Sequence, residues 1–271
     1  MKIAWVILTW NSEKYIEKCI NSILTLSGIK NQIIIADNGS SDGTIGIIRG
    51  KYKDAAELIE LPENRGTTVP RNMAIKRADK DIDYICILDS DTEVNTEAVL
   101  FLADVLQKES NALMAGPRLL TRNGEIQPSA RDFPTITSKL FKACPIKKIE
   151  QIGRRMEYCK NEKKDSYFKA GVIMSACWMI KPIAFKMLGL LDEYYFYSPE
   201  DTEFCLRIHV HGKDVLYCPE VAIIHDWQRL SKRKIVSKFN YESLKGHLHM
   251  FRQYRYCFST RRLYSKKLRC E

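Results

Sequence analysis

Asp89 and Asp91 stand one residue apart in ICILDSDTEV (85–94), at the end of an apolar run that reads as a buried strand. Two like charges at one strand end repel each other and resist desolvation unless a cation lies between them. A divalent ion such as Mg2+ or Mn2+ takes carboxylate oxygens and shares its other positions with water and phosphate, so the pair suits a diphosphate ligand. The competing reading makes Asp91 a cap of the next helix and Asp89 a solvated strand end. YSPEDTEFCLR (197–207) opens a helix pattern with Glu200 and Asp201. A carboxylate there with access to a substrate hydroxyl can act as a general base, or it can simply complement the helix dipole. VAIIHDW (221–227) ends an apolar run in His225, which reads either as a structural histidine or as a third metal ligand.

Two further stretches bear on a nucleotide. ADNGSSDGT (36–44) places Asp37 at a strand end before a tight turn. A carboxylate there can accept the imide N–H of a uracil or thymine ring, or close an Asx-turn, a part that Asp42 also fits. NRGTTVPRN (64–72) sets Gly66 and Arg71 near another strand end, where a guanidinium suits a diphosphate or lies on a solvated helix face.

The elements that must carry these residues alternate. Strand patterns at 2–10, 32–38, 55–62 and 83–89 are interleaved with helix patterns at 12–26, 67–78 and 95–108, with Asn11 or Ser12 as N-cap of the first. Such alternation predicts a parallel sheet with right-handed crossovers, whose ligands sit beyond the carboxyl ends of the strands. The second half is less regular. Strand pieces are expected at 112–120 and 124–134, a mobile insertion or small helices at 138–166, one long strand at 167–180, helices at 182–189 and 199–212, and two short strands at 213–219 and 221–226. In the tail Leu244, Leu248, Phe251, Tyr254 and Phe258 recur at helical spacing beside Lys245, Arg252 and Arg255.

Of the 271 residues, those from Arg229 onward hold thirteen Lys/Arg against Glu242 and Glu271, while the first 228 hold 30 Lys/Arg against 31 Asp/Glu. The net charge of +10 therefore belongs to the tail, and the expected division is a catalytic domain at 1–228 and a basic amphipathic extension at 229–271. A basic tail calls for an anionic surface, a membrane leaflet before nucleic acid. No apolar run approaches the roughly 18 residues that span a bilayer, and the N-terminus lacks the h-region and cleavage site of a signal peptide. Nine scattered cysteines without a CxxC pair fit reduced thiols, so a cytoplasmic protein is expected, at the inner face of the cell membrane if the tail binds it.

Taken in order, VILTWNSEKYIEKCINSIL, IIADNGSSDGT, ENRGTTVPRNMAI, CILDSDTEV, GPRLLTRNGEIQPSARDFPT, LGLLDEYYFYSPEDTEFCLRIHVHG and IIHDWQRLS resemble the inverting family 2 glycosyltransferases, over residues 1–231. The similarity is greatest to rhamnosyltransferase-like enzymes of bacterial surface polysaccharide synthesis. It implies the GT-A fold, a Rossmann-like, mostly parallel mixed sheet flanked by helices, here followed by a helical basic tail. It also implies transfer of a sugar from a UDP- or dTDP-linked donor to a hydroxyl of a glycan or lipid-linked acceptor, with Mn2+ or Mg2+. Thr9, Asn11 and Asp37 would contact the nucleoside, and Gly66, Arg71, Asp89 and Ser90 would complete the nucleotide-sugar site. Asp91 would be the direct metal ligand, with Asp89 and His225 beside it. Asp201 would be the base with Glu200 as its neighbour, and Asp192 and Glu193 would shape the acceptor side. The chain departs from the usual pattern in NRGTTVPRN, in LLDE and in Pro199, positions that bear on sugar and acceptor choice. Two other readings compete. A sugar nucleotidyltransferase would carry a Gly-rich, basic loop after the first strand, which LTWNSEKY lacks. A nucleic-acid-binding protein would use the basic, aromatic tail.

Overall fold

The computed structural model describes residues 1–158, 165–226, 238–260 and 263. In chain order they form β1 (Lys2–Thr9), α1 (Ile16–Leu24), β2 (Lys30–Asp37), α2 (Thr44–Lys51), β3 (Ala56–Glu60), α3 (Thr68–Ile75), β4 (Tyr84–Asp89), β5 (Thr92–Glu93) and α4 (Thr96–Lys108). There follow β6 (Ala112–Leu120), β7 (Ile126–Gln127), β8 (Ala130–Arg131), α5 (Ile136–Ala143), α6 (Lys147–Glu157), β9 (Phe168–Lys169), β10 (Val172–Ile173) and β11 (Cys177–Ile180). The described chain closes with α7 (Ile183–Leu188), α8 (Glu200–Val210), β12 (Asp214–His225) and α9 (Lys238–Gln253).

The central sheet has the order β3-β2-β1-β4-β11-β6-β12-β5. The β1 pairings with β2 and β4, and those of β2 with β3 and β6 with β12, are parallel; β11 enters antiparallel between β4 and β6. A mostly parallel sheet must bury both faces, and β1 does so by simple alternation. Ile3, Trp5 and Ile7 pack with α1 and α4 on one face, whereas Ala4 and Val6 join Phe204, Leu206, Met250 and Phe251 on the other.

Several expectations change here. Helix α2 lies where only a turn was expected, in a segment whose Gly46 and Gly50 hide its pattern. The long strand expected at 167–180 is three short strands, because β9 pairs with β12, β10 leaves the sheet to pair with β8, and β11 returns to it. Conversely, the two strands expected at 213–226 are one, β12, with an irregularity between Cys218 and Ala222. The insertion holds two helices, α5 and α6; residues 159–164 lie outside the described set. Helix α1 begins at Ile16 rather than Ser12, whose hydroxyl instead meets that of Ser90 at 2.7 Å. Residues 227–237, 261–262 and 264–271, most of them in the basic extension, lie outside the described residues. The charge boundary at 228/229 is not a boundary in the core, since Met250, Phe251, Tyr256 and Leu263 belong to the cluster that holds α8 against the sheet.

Candidate active site

The carboxyl ends of β1, β2 and β4, the start of α8 and one face of α9 surround a cleft of about 480 Å³. Its walls include Gly66, Arg71, Asp89, Ser90, Asp91, Glu200, Asp201 and His225, eight of the residues singled out in the sequence.

The paired aspartates are held by backbone. Strand β4 ends at Asp89, and Thr92 Oγ1 donates to the Asp89 carbonyl at 2.6 Å to tighten the turn. Strand β5 then pairs antiparallel with β12, setting Thr92 opposite His225, while the Asp226 N–H donates to the Asp91 carbonyl at 2.8 Å. One atom each from Asp89, Asp91 and His225 therefore falls within 4.8 Å of the others. Asn95, not Asp91, caps α4, accepting from the Ala98 N–H at 2.8 Å. The cap reading of Asp91 is thereby removed.

The histidine is oriented from behind. Gln127 Nε2 donates to the His225 carbonyl at 2.7 Å, which turns Gln127 Oε1 toward His225 Nδ1, also at 2.7 Å. The Nδ1 proton is thus used by the glutamine, and Nε2 faces Asp91 Oδ1 at 3.4 Å. A ring nitrogen lone pair aimed at two carboxylates is the donor set of a divalent metal, completed by an outer hydrogen bond that fixes the tautomer. Burial works against a charged His225, but the contact with Asp91 and the charges of Asp91, Asp89 and Asp226 outweigh it and raise its pKa. Burial raises the Asp89 carboxyl, Arg71 opposes that, and Asp91 adds to it. Each direction describes a crowded negative site that a bound dication neutralises.

Arg71 is 2 % exposed, so the solvated-helix reading fails. Its Nη2 donates to Asp89 Oδ1 at 2.6 Å, and its Nη1 reaches Ser175 Oγ at 3.2 Å and Glu200 Oε1 at 3.4 Å. One guanidinium thus spans Asp89 and one carboxylate of α8, Glu200. Glu200 is buried there: burial first, then the charge of Asp201, outweigh Arg71 and push its carboxyl up to about 7. Asp201 Oδ1 accepts from the Thr202 N–H at 2.6 Å, and Oδ2 accepts from Arg131 Nη2 at 2.5 Å.

The remaining sequence candidates frame the cleft without lining it. Asp37 is fully buried and accepts from Thr9 Oγ1 at 2.7 Å, Ser40 Oγ at 2.6 Å and the Ser40 N–H at 2.9 Å, so its carboxylate closes the turn. Asn11, in the left-handed region with φ 52°, accepts from the Ser41 N–H at 2.8 Å and ties the first loop to the second. Asp192 Oδ1 accepts from the Tyr194 N–H at 2.9 Å, and Glu193 Oε1 accepts from Asn72 Nδ2 at 3.0 Å, which fastens the 191–199 loop to α3. Cleft residues that sequence reasoning passed over are Trp10, Asn38, Arg131, Ser175 and Tyr197. Arg131 and Gln127, which lies behind His225, both stand in the motif GPRLLTRNGEIQPSARDFPT, where neither was given a role.

The profile described as glycosyl transferase family 2 matches residues 4–188. The chain is 27% identical over 223 residues to the dTDP-rhamnosyl transferase RfbF of Shigella flexneri, covering 81% of this chain and 67% of that one. It is 22% identical over 229 residues to the N-acetylglucosaminyl-diphospho-decaprenol L-rhamnosyltransferase of Mycobacterium tuberculosis, covering 81% and 74%. Its fold is similar to that of GalNAc-T7 crystallised with UDP, GalNAc and Mn2+ (TM-score 0.68, 17% identity), where it spans 93% of this chain and 48% of the other. It is similar also to a Pyrobaculum calidifontis mannosyltransferase in complex with GDP-Man and Mn2+ (TM-score 0.63, 15% identity), spanning 93% and 64%. With the profile covering more than half of the chain, and a fold similar to these neighbours around an acidic cleft where Asp89, Asp91 and His225 could hold a metal, the protein belongs to glycosyl transferase family 2 and is a glycosyltransferase of the GT-A fold.

Proposed function

We propose that the protein moves a sugar, with inversion, from a UDP- or dTDP-linked donor to a hydroxyl of a glycan or lipid-linked acceptor in cell-surface polysaccharide synthesis. The observation that carries this reading is Arg71, whose one guanidinium touches both the metal set at Asp89 and the buried carboxylate Glu200. Donor diphosphate and acceptor hydroxyl are thereby brought to one cleft. Asp91, Asp89 and His225 hold the divalent ion, and the imidazole in the set favours Mn2+ over Mg2+, which is bound through oxygens. When bound, the ion neutralises charge on the diphosphate. Thr9, Asn11 and Asp37 shape the nucleoside wall behind Asn38 and Ser90, and Gly66 lines the donor side of the cleft, packed close against the Phe196 carbonyl. Asp192 and Glu193 set the acceptor side by holding the 191–199 loop. Asp201 accepts the proton of the acceptor hydroxyl as its oxygen bonds to the anomeric carbon. The bond from that carbon to the diphosphate breaks on the opposite face, and nucleoside diphosphate leaves. The rhamnosyltransferase relatives, one of them named for a diphospho-decaprenol acceptor, support a dTDP-linked donor and a lipid-linked acceptor.

Calorimetry with UDP, dTDP and GDP, with and without Mn2+, on the wild type and Asp91→Ala tests this reading. One nucleotide should bind only with metal and be lost in the variant. Metal-independent binding, or none, overturns it. Release of pyrophosphate in place of nucleoside diphosphate would point instead to nucleotidyl transfer.

Two helices, α9 and α6, expose apolar residues among cations. Helix α9 turns Tyr241, Leu244 and Leu248 outward at 67, 62 and 56 % exposure, with Lys245, Arg252 and Arg255 also exposed. Helix α6 exposes Ile152 and Met156 beside Lys148 and Arg155. No helix among the described residues is long and apolar enough to cross a membrane. An apolar stripe edged with cations suits the anionic inner leaflet, which would place the protein on the cytoplasmic side. Sedimentation with anionic vesicles should carry the wild type down at low salt and lose the double variant Leu244→Glu/Leu248→Glu. Equal pelleting of both would sink the membrane reading and leave transfer untouched.

A further inference from the structure

The two carboxylates at the start of α8 have different arginines. Glu200 shares Arg71 with Asp89 at the longer distance of 3.4 Å, whereas Asp201 Oδ2 has Arg131 at 2.5 Å. Arg131 comes from far along the chain and from another layer. Strand β8 leaves the main sheet to pair with β10, setting Arg131 opposite Val172, and a further bridge joins Arg131 to Tyr158. The Asp132 N–H donates to the Glu157 carbonyl at 2.7 Å, so both ends of the α5–α6 arm are tied down at this strand. Glu157, 2 % exposed, anchors the arm by accepting from Lys142 at 2.6 Å and Ser138 at 2.7 Å, and burial is outweighed by Lys139 and Lys142 to hold its carboxyl down at about 2. The guanidinium of Arg131 therefore stands on a fixed base and lines the same cleft as Asp201.

We infer that Arg131 is the positioning residue of Asp201: its guanidinium engages one carboxylate oxygen and balances its charge, so the group meets the acceptor hydroxyl in a single orientation. This rests on the proposal that Asp201 is the base. The other oxygen is held by the Thr202 N–H and, at 3.1 Å, by the Thr202 hydroxyl, so the carboxylate is restrained on both sides. An acid that merely completes the first turn of a helix has no need of an arginine from a separate β-layer. A base whose proton transfer depends on direction does.

The test uses the full chain and compares wild type, Arg131→Gln, Arg131→Lys, Asp201→Asn and the Arg131→Gln/Asp201→Asn double variant, with metal-dependent nucleotide binding and thermal unfolding as controls for folding. Arg131→Gln should lower kcat by ~100-fold while donor KM stays within about threefold, the pattern of a lost transition-state contact. Arg131→Lys should recover at least ~10-fold of that loss, since it restores the charge without the fork. In the Asp201→Asn background Arg131→Gln should have no further effect, because its action passes through the missing carboxylate. An unchanged kcat in Arg131→Gln, or the same loss in both backgrounds, overturns the inference while wild-type transfer keeps the base reading alive. No transfer by a wild type that binds nucleotide overturns both.

Discussion

At the scale of the residue, the proposed metal set rests on a glutamine that does not line the cleft. Gln127 fixes both the ring angle and the tautomer of His225, and removing such an outer partner lowers metal affinity by about 10- to 100-fold. Gln127→Leu should weaken Mn2+ binding by that factor in a titration followed by electron paramagnetic resonance, with the fold intact; undiminished binding would show that His225 is held without it. Glu200 makes a second residue-scale prediction. Its carboxyl, lifted to about 7 by burial and Asp201, binds a proton in the folded state that it has lost in the unfolded one, where the value is about 4.3. Stability from this group is full below that unfolded value and is lost as pH rises to about 7. Between about pH 5 and about pH 8 the unfolding free energy of the wild type, from urea titration, should fall more than that of Glu200→Gln, by an amount on the order of 1–3 kcal/mol. Parallel falls would place the titration elsewhere.

At the scale of the element, the loop between β3 and α3 carries its own constraint. Gly66 has φ +83°, and a methyl group there would overlap the Phe196 carbonyl, to which the Thr67 N–H donates at 2.7 Å. Thr68 Oγ1 donates to the Tyr195 carbonyl at 2.8 Å, and Asn72 exchanges hydrogen bonds with the backbone of Leu191. The loop that leads into Glu200 and Asp201 is thus docked on the first turns of α3. Gly66→Ala should destabilise the protein by about 2–4 kcal/mol, through both the clash and the left-handed backbone, read as a lower Tm. Element boundaries were legible where local pattern decides them: the apolar run of β1 stops just before the polar Asn11-Ser12, and Gly212, at φ +70°, ends α8 as the sequence suggested. They were not legible at 167–180, because a continuous apolar run looks the same whether it stays in one sheet or passes between two.

At the scale of the whole molecule, the C-terminal segment is part of the folded unit. Helix α9 buries Met250 and Phe251 in the main core, Tyr254 donates to Glu203 at 2.6 Å, and Asn240 and Ser243 line the cleft. Each large apolar side chain lost from that core removes about 1.5–3 kcal/mol. A chain ended at residue 228 should therefore unfold at markedly lower urea than the full chain, or fail to fold; an unchanged midpoint would make the tail a separate unit after all. Composition alone suggested that separation, since charge is counted along the chain and packing is not. The sequence alone placed charged residues at element ends: Asp89 and His225 end apolar strands, Asp91 follows one, and Glu200 and Asp201 open a helix, so a place where burial ends and a ligand can begin was visible without the fold. The partners of those charges came from the tertiary structure alone. Arg71 spanning Asp89 and Glu200, Gln127 behind His225, and Arg131 against Asp201 all join residues far apart in the chain, and such contacts follow from strand pairing rather than from any local pattern.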